Sequence, residues 1–162
     1  MRLREASPDD IAPIMEIERT PGHEQFIGQW DKAKHQAEMD NRASRYLCAE
    51  RDGVPVAFAI VEALDDPGGN VYLQRLAAAE TGRGDGAWLI RALQDWVFAQ
   101  PGAYRLYLHF SVENERGRRL YARAGFVQEG LERDVYKMPD GRRVSRYLVS
   151  ILRPEWERRR QM

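Results

Sequence analysis

The most constraining feature is a glycine-punctuated turn. An apolar run, Val71–Ala77, is followed by Ala78-Ala79-Glu80-Thr81-Gly82-Arg83-Gly84-Asp85-Gly86. Ala87, Leu89, Ile90, Leu93, Trp96 and Val97 then recur at helical spacing up to about Gln100. The reading is a strand, a tight bend and an amphipathic helix. Glycines at alternate positions let the bend turn sharply and bring its N–H groups close to a ligand. A helix start adds orphan N–H donors and the positive end of its dipole, which suit a diphosphate. The Walker pattern fails, because Gly86-Ala87-Trp88 lacks the Lys-Ser/Thr end. Gly82, Gly84 and Ala87 satisfy a dinucleotide pattern, but the acid that should follow about 20 residues on is missing from Leu106–Phe110. A nucleotide-binding reductase domain therefore stands only as a weaker reading.

The surrounding chain orders itself around that turn. Met1–Ala6 is extended, and Ser7-Pro8-Asp9-Asp10 starts a helix carrying Ile11, Ile14 and Ile17. A second, polar helix is expected over Glu24–Met39. Arg45–Arg51 and Val54–Val61 read as strands joined by the hairpin signal Asp52-Gly53. Tyr104–Phe110 is a further strand, and Asn114–Ala124 a short basic helix stopped by Gly125. Phe126–Tyr136 and Val144–Leu152 form a terminal hairpin, and Arg153–Met162 a charged tail anchored by Trp156. The order is β-α-α-β-β-β-α-β-α-β-β, an α/β arrangement with mixed strand directions.

The 162 residues suit one domain, taken as 1–162. With 25 basic and 25 acidic residues, the formal net charge is zero, which argues against a nucleic-acid partner. No apolar run is long enough for a membrane span. The lone Cys48, read as a core residue, and the lack of a secretory leader point to a reducing, cytoplasmic setting. No cluster has metal-ligand spacing, so no metal is expected.

The second motif is Asn114-Glu115-Arg116-Gly117-Arg118-Arg119-Leu120-Tyr121-Ala122-Arg123-Ala124-Gly125-Phe126. Together with the glycine turn, it resembles the GNAT superfamily of acyl-CoA-dependent N-acetyltransferases over about residues 1–153. The C-terminal segment from Gly130 to Trp156 resembles the subgroup containing ribosomal-protein N-terminal acetyltransferases. The resemblance implies a mostly antiparallel sheet of about seven strands flanked by about four helices, with strands 4 and 5 splayed into a V. It also implies acetyl-CoA as co-substrate and an amine acceptor, a small molecule or a protein N-terminus. A possible homodimer would form through the C-terminal hairpin. A non-catalytic CoA-binding sensor of the same fold is the alternative.

The residue assignments follow the resemblance and the chemistry. Leu76, Ala77, Ala78, Gly82, Arg83, Gly84, Asp85, Gly86, Ala87, Asn114, Arg119 and Tyr121 are expected to meet the cofactor. Thr81 and Asp85 depart from the usual turn, and Asp85 would repel a diphosphate unless it points away or caps the helix. Tyr121 is the expected general acid, since a phenol keeps its proton at neutral pH. It lies two helical turns after Asn114, on the same side. Glu62 is the expected base, with His109 a lesser candidate; Glu24, Trp30 and His35 are expected to contact the acceptor, although a surface position is the plainer reading of His23 and His35.

Overall fold

The structure is a computed structural model covering residues 1–162. One sheet of seven strands carries the fold: β1 (Arg2–Glu5), β2 (Arg45–Arg51), β3 (Val54–Glu62), β4 (Asn70–Ala78), β5 (Arg105–Ser111), β6 (Val127–Lys137) and β7 (Arg143–Leu152). Their spatial order is β1-β2-β3-β4-β5-β7-β6. Every neighbouring pair is antiparallel except β4–β5. The helices are α1 (Ile11–Glu18), α2 (Lys32–Met39), α3 (Asp85–Ala99), α4 (Glu115–Arg123) and α5 (Arg153–Arg160).

Local chemistry explains the joints. Asp52 and Gly53 both adopt left-handed backbone, with φ of 53° and 81°, as the two-residue turn between β2 and β3 requires. Parallel strands need a crossover, and α3 supplies it between β4 and β5. Leu89, Ile90, Leu93 and Val97 of α3 are buried against Leu47, Ala59, Val61, Val71, Leu73 and Leu106 in the larger apolar core. On the opposite face, Ile14 and Ile17 of α1 pack with Tyr46, Cys48, Phe58, Ile60 and Ala77.

Two sequence expectations change. The helix expected over Glu24–Met39 is broken into a short 3-10 turn, His23–Gln25, and α2. The Asp31 carboxylate caps α2 by accepting from the Lys34 N–H at 2.8 Å, so the helix starts there. The charged tail is a fifth helix, α5, rather than loose chain. Its Trp156 packs on Phe98, with ring centroids 5.2 Å apart, and donates its indole N–H to Asp95 at 2.9 Å.

The sheet opens where the site must lie. β4 and β5 share only three residue pairs, Asn70↔Arg105, Val71↔Leu106 and Tyr72↔Tyr107. Beyond Tyr72, β4 stays with β3 and β5 stays with β7. The edge of Leu73–Ala78 that faces β5 therefore has no strand partner. A bulge accompanies the opening: Ile60 pairs Arg75 while Val61 pairs Leu73, leaving Gln74 as the extra residue.

Candidate active site

A cleft of about 1150 Å³ runs through this opening. α3 begins at the C-terminal end of β4 and α4 just beyond that of β5, so both helix N-termini face the same mouth. Ligands favour that end of parallel strands. The cleft is lined by Leu76, Ala77, Ala78, Gly82, Gly84, Asp85, Gly86, Ala87, Asn114, Arg119 and Tyr121, all expected at the cofactor end. Trp30 lines it too, toward the acceptor end.

The glycine turn is open main chain. Gly82 and Gly84 have φ of 87° and 84°, and a Cβ added at either would meet no atom within 4 Å. Gly84 is the N-cap of α3, and its carbonyl accepts from Trp88 N–H at 2.9 Å. The N–H groups of Asp85, Gly86 and Ala87 precede that first helical bond and have no intrahelical acceptor. They are donors held ready for an anion.

Asp85 does not oppose this grip. Its carboxylate is buried and bound to Arg51 of β2, with Nη2 at 2.5 Å. The charge is neutralised within the protein, and the α3 N-terminus is tied to the sheet. Arg83, by contrast, is exposed, pairs with Glu80 at 3.0 Å and does not line the cleft. Asn114 uses its Oδ1 to cap α4, accepting from Gly117 N–H at 2.8 Å. Its side-chain amide N–H groups remain available to a ligand.

Tyr121 projects from α4 into a packed aromatic corner. Its ring lies 5.2 Å from Phe110 and 5.7 Å from Phe126, centroid to centroid. Burial pushes its phenol above the ordinary value, with the nearby Tyr72 adding to the effect. Glu62 ends β3 opposite Tyr72 and does not itself line the cleft. It is half-buried, and burial first, then Glu38, pushes its carboxyl above the usual range. His109 lines the cleft with Nδ1 3.2 Å from a Glu132 oxygen.

Glu24 is exposed beside the lining residues Gly22, His23 and Gln25, and its Oε2 accepts from Gly22 N–H at 2.7 Å and closes a turn. One acceptor expectation is corrected. His35 is fully buried, so it is neither a surface residue nor able to touch a substrate in the cleft. Its Nε2 lies 2.9 Å from a Glu18 oxygen and its Nδ1 2.8 Å from the Tyr46 hydroxyl. The ring thus bridges the Glu18 carboxylate and the Tyr46 hydroxyl inside the protein. Glu18 also holds Arg75 of β4 at 2.8 Å, and that guanidinium lies 3.9 Å from the centroid of the Trp30 ring.

Other cleft residues were not singled out in the sequence: Tyr72, Gln74, Arg75, Arg91, Tyr136 and Arg146. One signal existed for Gln74. Leu73 and Leu76 pack against the same core although they lie three residues apart, an odd spacing that requires an extra residue in a strand. Arg75 and Arg146 carry no local pattern, because their meaning depends on which strands become neighbours.

A seven-stranded mixed sheet, splayed at its one parallel pair and flanked there by a glycine turn and a capped helix, defines an acyl-CoA-type transferase fold. The model of the acetyltransferase (GNAT) family matches residues 11–126, and the chain belongs to that family. It is 36% identical over 55 residues to the spermidine N(1)-acetyltransferase of Vibrio cholerae, a match spanning 34% of this chain and only 32% of that protein. It is also 36% identical over 96 residues to a kanamycin resistance protein of Rhizobium radiobacter, spanning 59% of this chain and 82% of that protein. Among solved structures, the spermidine N-acetyltransferase from Vibrio cholerae in complex with CoA and spermine superposes with a TM-score of 0.84 and 18% identity, covering 96% of this chain and 97% of that one. The ribosomal-protein-S18-alanine N-acetyltransferase from Escherichia coli superposes with a TM-score of 0.78 and 20% identity, covering 93% and 92%. These structural likenesses show the shared fold.

Proposed function

We propose that the chain transfers an acetyl group from acetyl-CoA directly to a primary amine, with no acyl-enzyme. The observation that carries this reading is the unpaired edge of β4 beside the open glycine turn and Tyr121, all lining one cleft. The donors at Gly84–Ala87 hold the diphosphate. The pantetheine arm lies along β4 in the place of a missing strand, and Asn114 hydrogen-bonds it. Main-chain N–H near Leu76 and Ala77 holds the thioester oxygen as it gains charge. The neutral amine attacks the carbonyl carbon, the C–S bond breaks, and Tyr121 gives its proton to the departing thiolate. A phenol held protonated by burial suits that step. Glu62 is the base: its raised carboxyl can take a proton from the amine through water.

Cys48 is fully buried, and burial pushes its thiol up to about 12, which fits a core residue and not a nucleophile. A free, buried thiol supports a reducing, cytoplasmic setting. No helix is long and apolar enough to cross a membrane. Exposed Val127, Leu131 and Val135 on edge strand β6 support pairing of two copies through the β6–β7 hairpin.

The test is thiol release from acetyl-CoA across a panel of amines and peptide N-termini, with Tyr121→Phe beside the native chain. Turnover that depends on an amine and collapses in the variant supports the reading. Tight acetyl-CoA binding without turnover on any amine would instead identify a sensor module.

A further inference from the structure

The charges along the cleft are lopsided. Its lining carboxylates, Glu80, Asp85, Glu113 and Glu115, each have an arginine partner: Arg83 at 3.0 Å, Arg51 at 2.5 Å, Arg142 at 2.5 Å and Arg118 at 3.7 Å. Six arginines also line it, and only Arg75 has an acid partner. Arg91, Arg116, Arg119 and Arg123 lie on α3 and α4 at the cofactor end. Arg146, on β7, is the unpaired guanidinium at the other end.

Arg146 rests on an aromatic ring and belongs to no ion pair, with Glu132 standing opposite it across β6–β7. Its guanidinium lies 4.3 Å from the centroid of the Tyr136 ring, and no carboxylate lies within 4 Å of it. Burial pushes the phenol of Tyr72, the last residue of β4 paired before the splay, above its ordinary value; Arg146 acts against that shift, and Glu62 and Glu132 act with it. A planar guanidinium resting on an aromatic face keeps its donor edge free for a bidentate acceptor. Arg75 lines the same cleft with its side chain 7% exposed. Its Nη1 is shared between Glu18 and the Gly28 carbonyl, while its buried Nε has no hydrogen-bond partner. A buried charged donor left unpaired costs free energy unless something else meets it.

We propose that the acceptor bears a carboxylate as well as the amine, and that Arg146, with Arg75 beside it, receives that carboxylate. This inference rests on the acetyl-transfer reading and adds the class of acceptor to it. Glu62, across β3–β4 from Tyr72 and with no basic group within ion-pair distance, suits the amine end. The four carboxylates of the lining itself are all held by arginines, so beyond Glu62 a polycation finds no unpaired acid there.

Three probes, phenylalanine, glycyl-phenylalanine and 6-aminohexanoate, are each compared with their C-terminal amides, and spermidine serves as the cationic comparator. The expected result is that kcat/KM for at least one acid exceeds that of its amide by tenfold or more, mainly through KM. In Arg146→Gln that ratio falls to near one, and Arg146→Lys restores part of it. Amides or spermidine turned over as well as every acid, or a ratio unchanged in Arg146→Gln, would overturn the proposal. If no amine is acetylated, the enzyme reading fails separately. The acids are then titrated into the CoA-loaded chain by calorimetry: binding lost in Arg146→Gln upholds the anion site, and no binding by any acid removes it.

Discussion

The two ends of the cleft are built from different material. The end proposed for the cofactor is main chain: one bend, Gly82–Ala87, whose donors need no particular side chain. The end proposed for the acceptor is side chains from four separate segments, with Trp30, Arg75, Tyr136 and Arg146 meeting only after the sheet forms. Behind it, Glu18, His35 and Arg75 form a buried polar cluster, whereas the opposite face of the sheet is covered chiefly by apolar groups. A main-chain site tolerates drift in its surroundings, whereas a side-chain site changes specificity with single substitutions.

That contrast can be broken at several points. The largest effect is expected from Gly84→Val. A β-branched residue at φ 84° is strained by about 1–3 kcal/mol and fills the turn. Acetyl-CoA affinity should drop below calorimetric detection while the far-ultraviolet spectrum stays native; undiminished affinity would show that the bend is not the grip. Next comes Glu18→Ala, which strands Arg75 and His35 in the interior. Breaking a buried pair costs about 3–5 kcal/mol, read as a lowered urea midpoint. An unchanged midpoint would show that the polar face does not depend on this carboxylate.

Tyr121→Phe should reduce kcat by about 100-fold, the low end of general-acid catalysis, with little change in acetyl-CoA affinity. Equal losses in both would make Tyr121 a packing residue. A smaller effect is expected from pH. The Glu62 carboxyl is raised in the folded chain, so the fold retains its proton while the unfolded chain has lost it. Ionisation there removes stability as pH rises through the ordinary carboxylate value toward the higher folded one. Glu62→Gln should flatten that loss in a pH series of melts and remove the acid limb of kcat/KM. The smallest effect is Arg119→Ala: this exposed side chain should change the KM for acetyl-CoA only a few-fold, and more at low salt than at high.

The same contrast explains what the sequence disclosed. The glycine turn and the Asn114–Tyr121 segment are each short contiguous stretches that could be read locally, and the family resemblance is what joined them into one site. The helical periodicity of α3 and the Asp52-Gly53 turn are equally local, and both elements form where expected. His35 misleads because a histidine in a polar helix looks solvated; burial follows from Glu18 and Tyr46, which come from α1 and β2. Glu24 spends its carboxylate on a local turn, accepting from the Gly22 N–H, which no spacing pattern announced. The helix at Arg153–Arg160 has no apolar stripe to announce it; Trp156 and Arg159, which donates to the Arg123 carbonyl at 2.9 Å, dock it from outside.

The three-rung seam between β4 and β5 leaves the ladder of the sheet incomplete. The two leaves, β1–β4 and β5–β7, are joined by one apolar core but share few main-chain pairs, and an inserted thioester arm would supply the missing ones. Amides from Leu73 to Ala78 should then exchange with solvent more slowly once acetyl-CoA is added, so that occupancy of the cleft stiffens the two leaves into a single body.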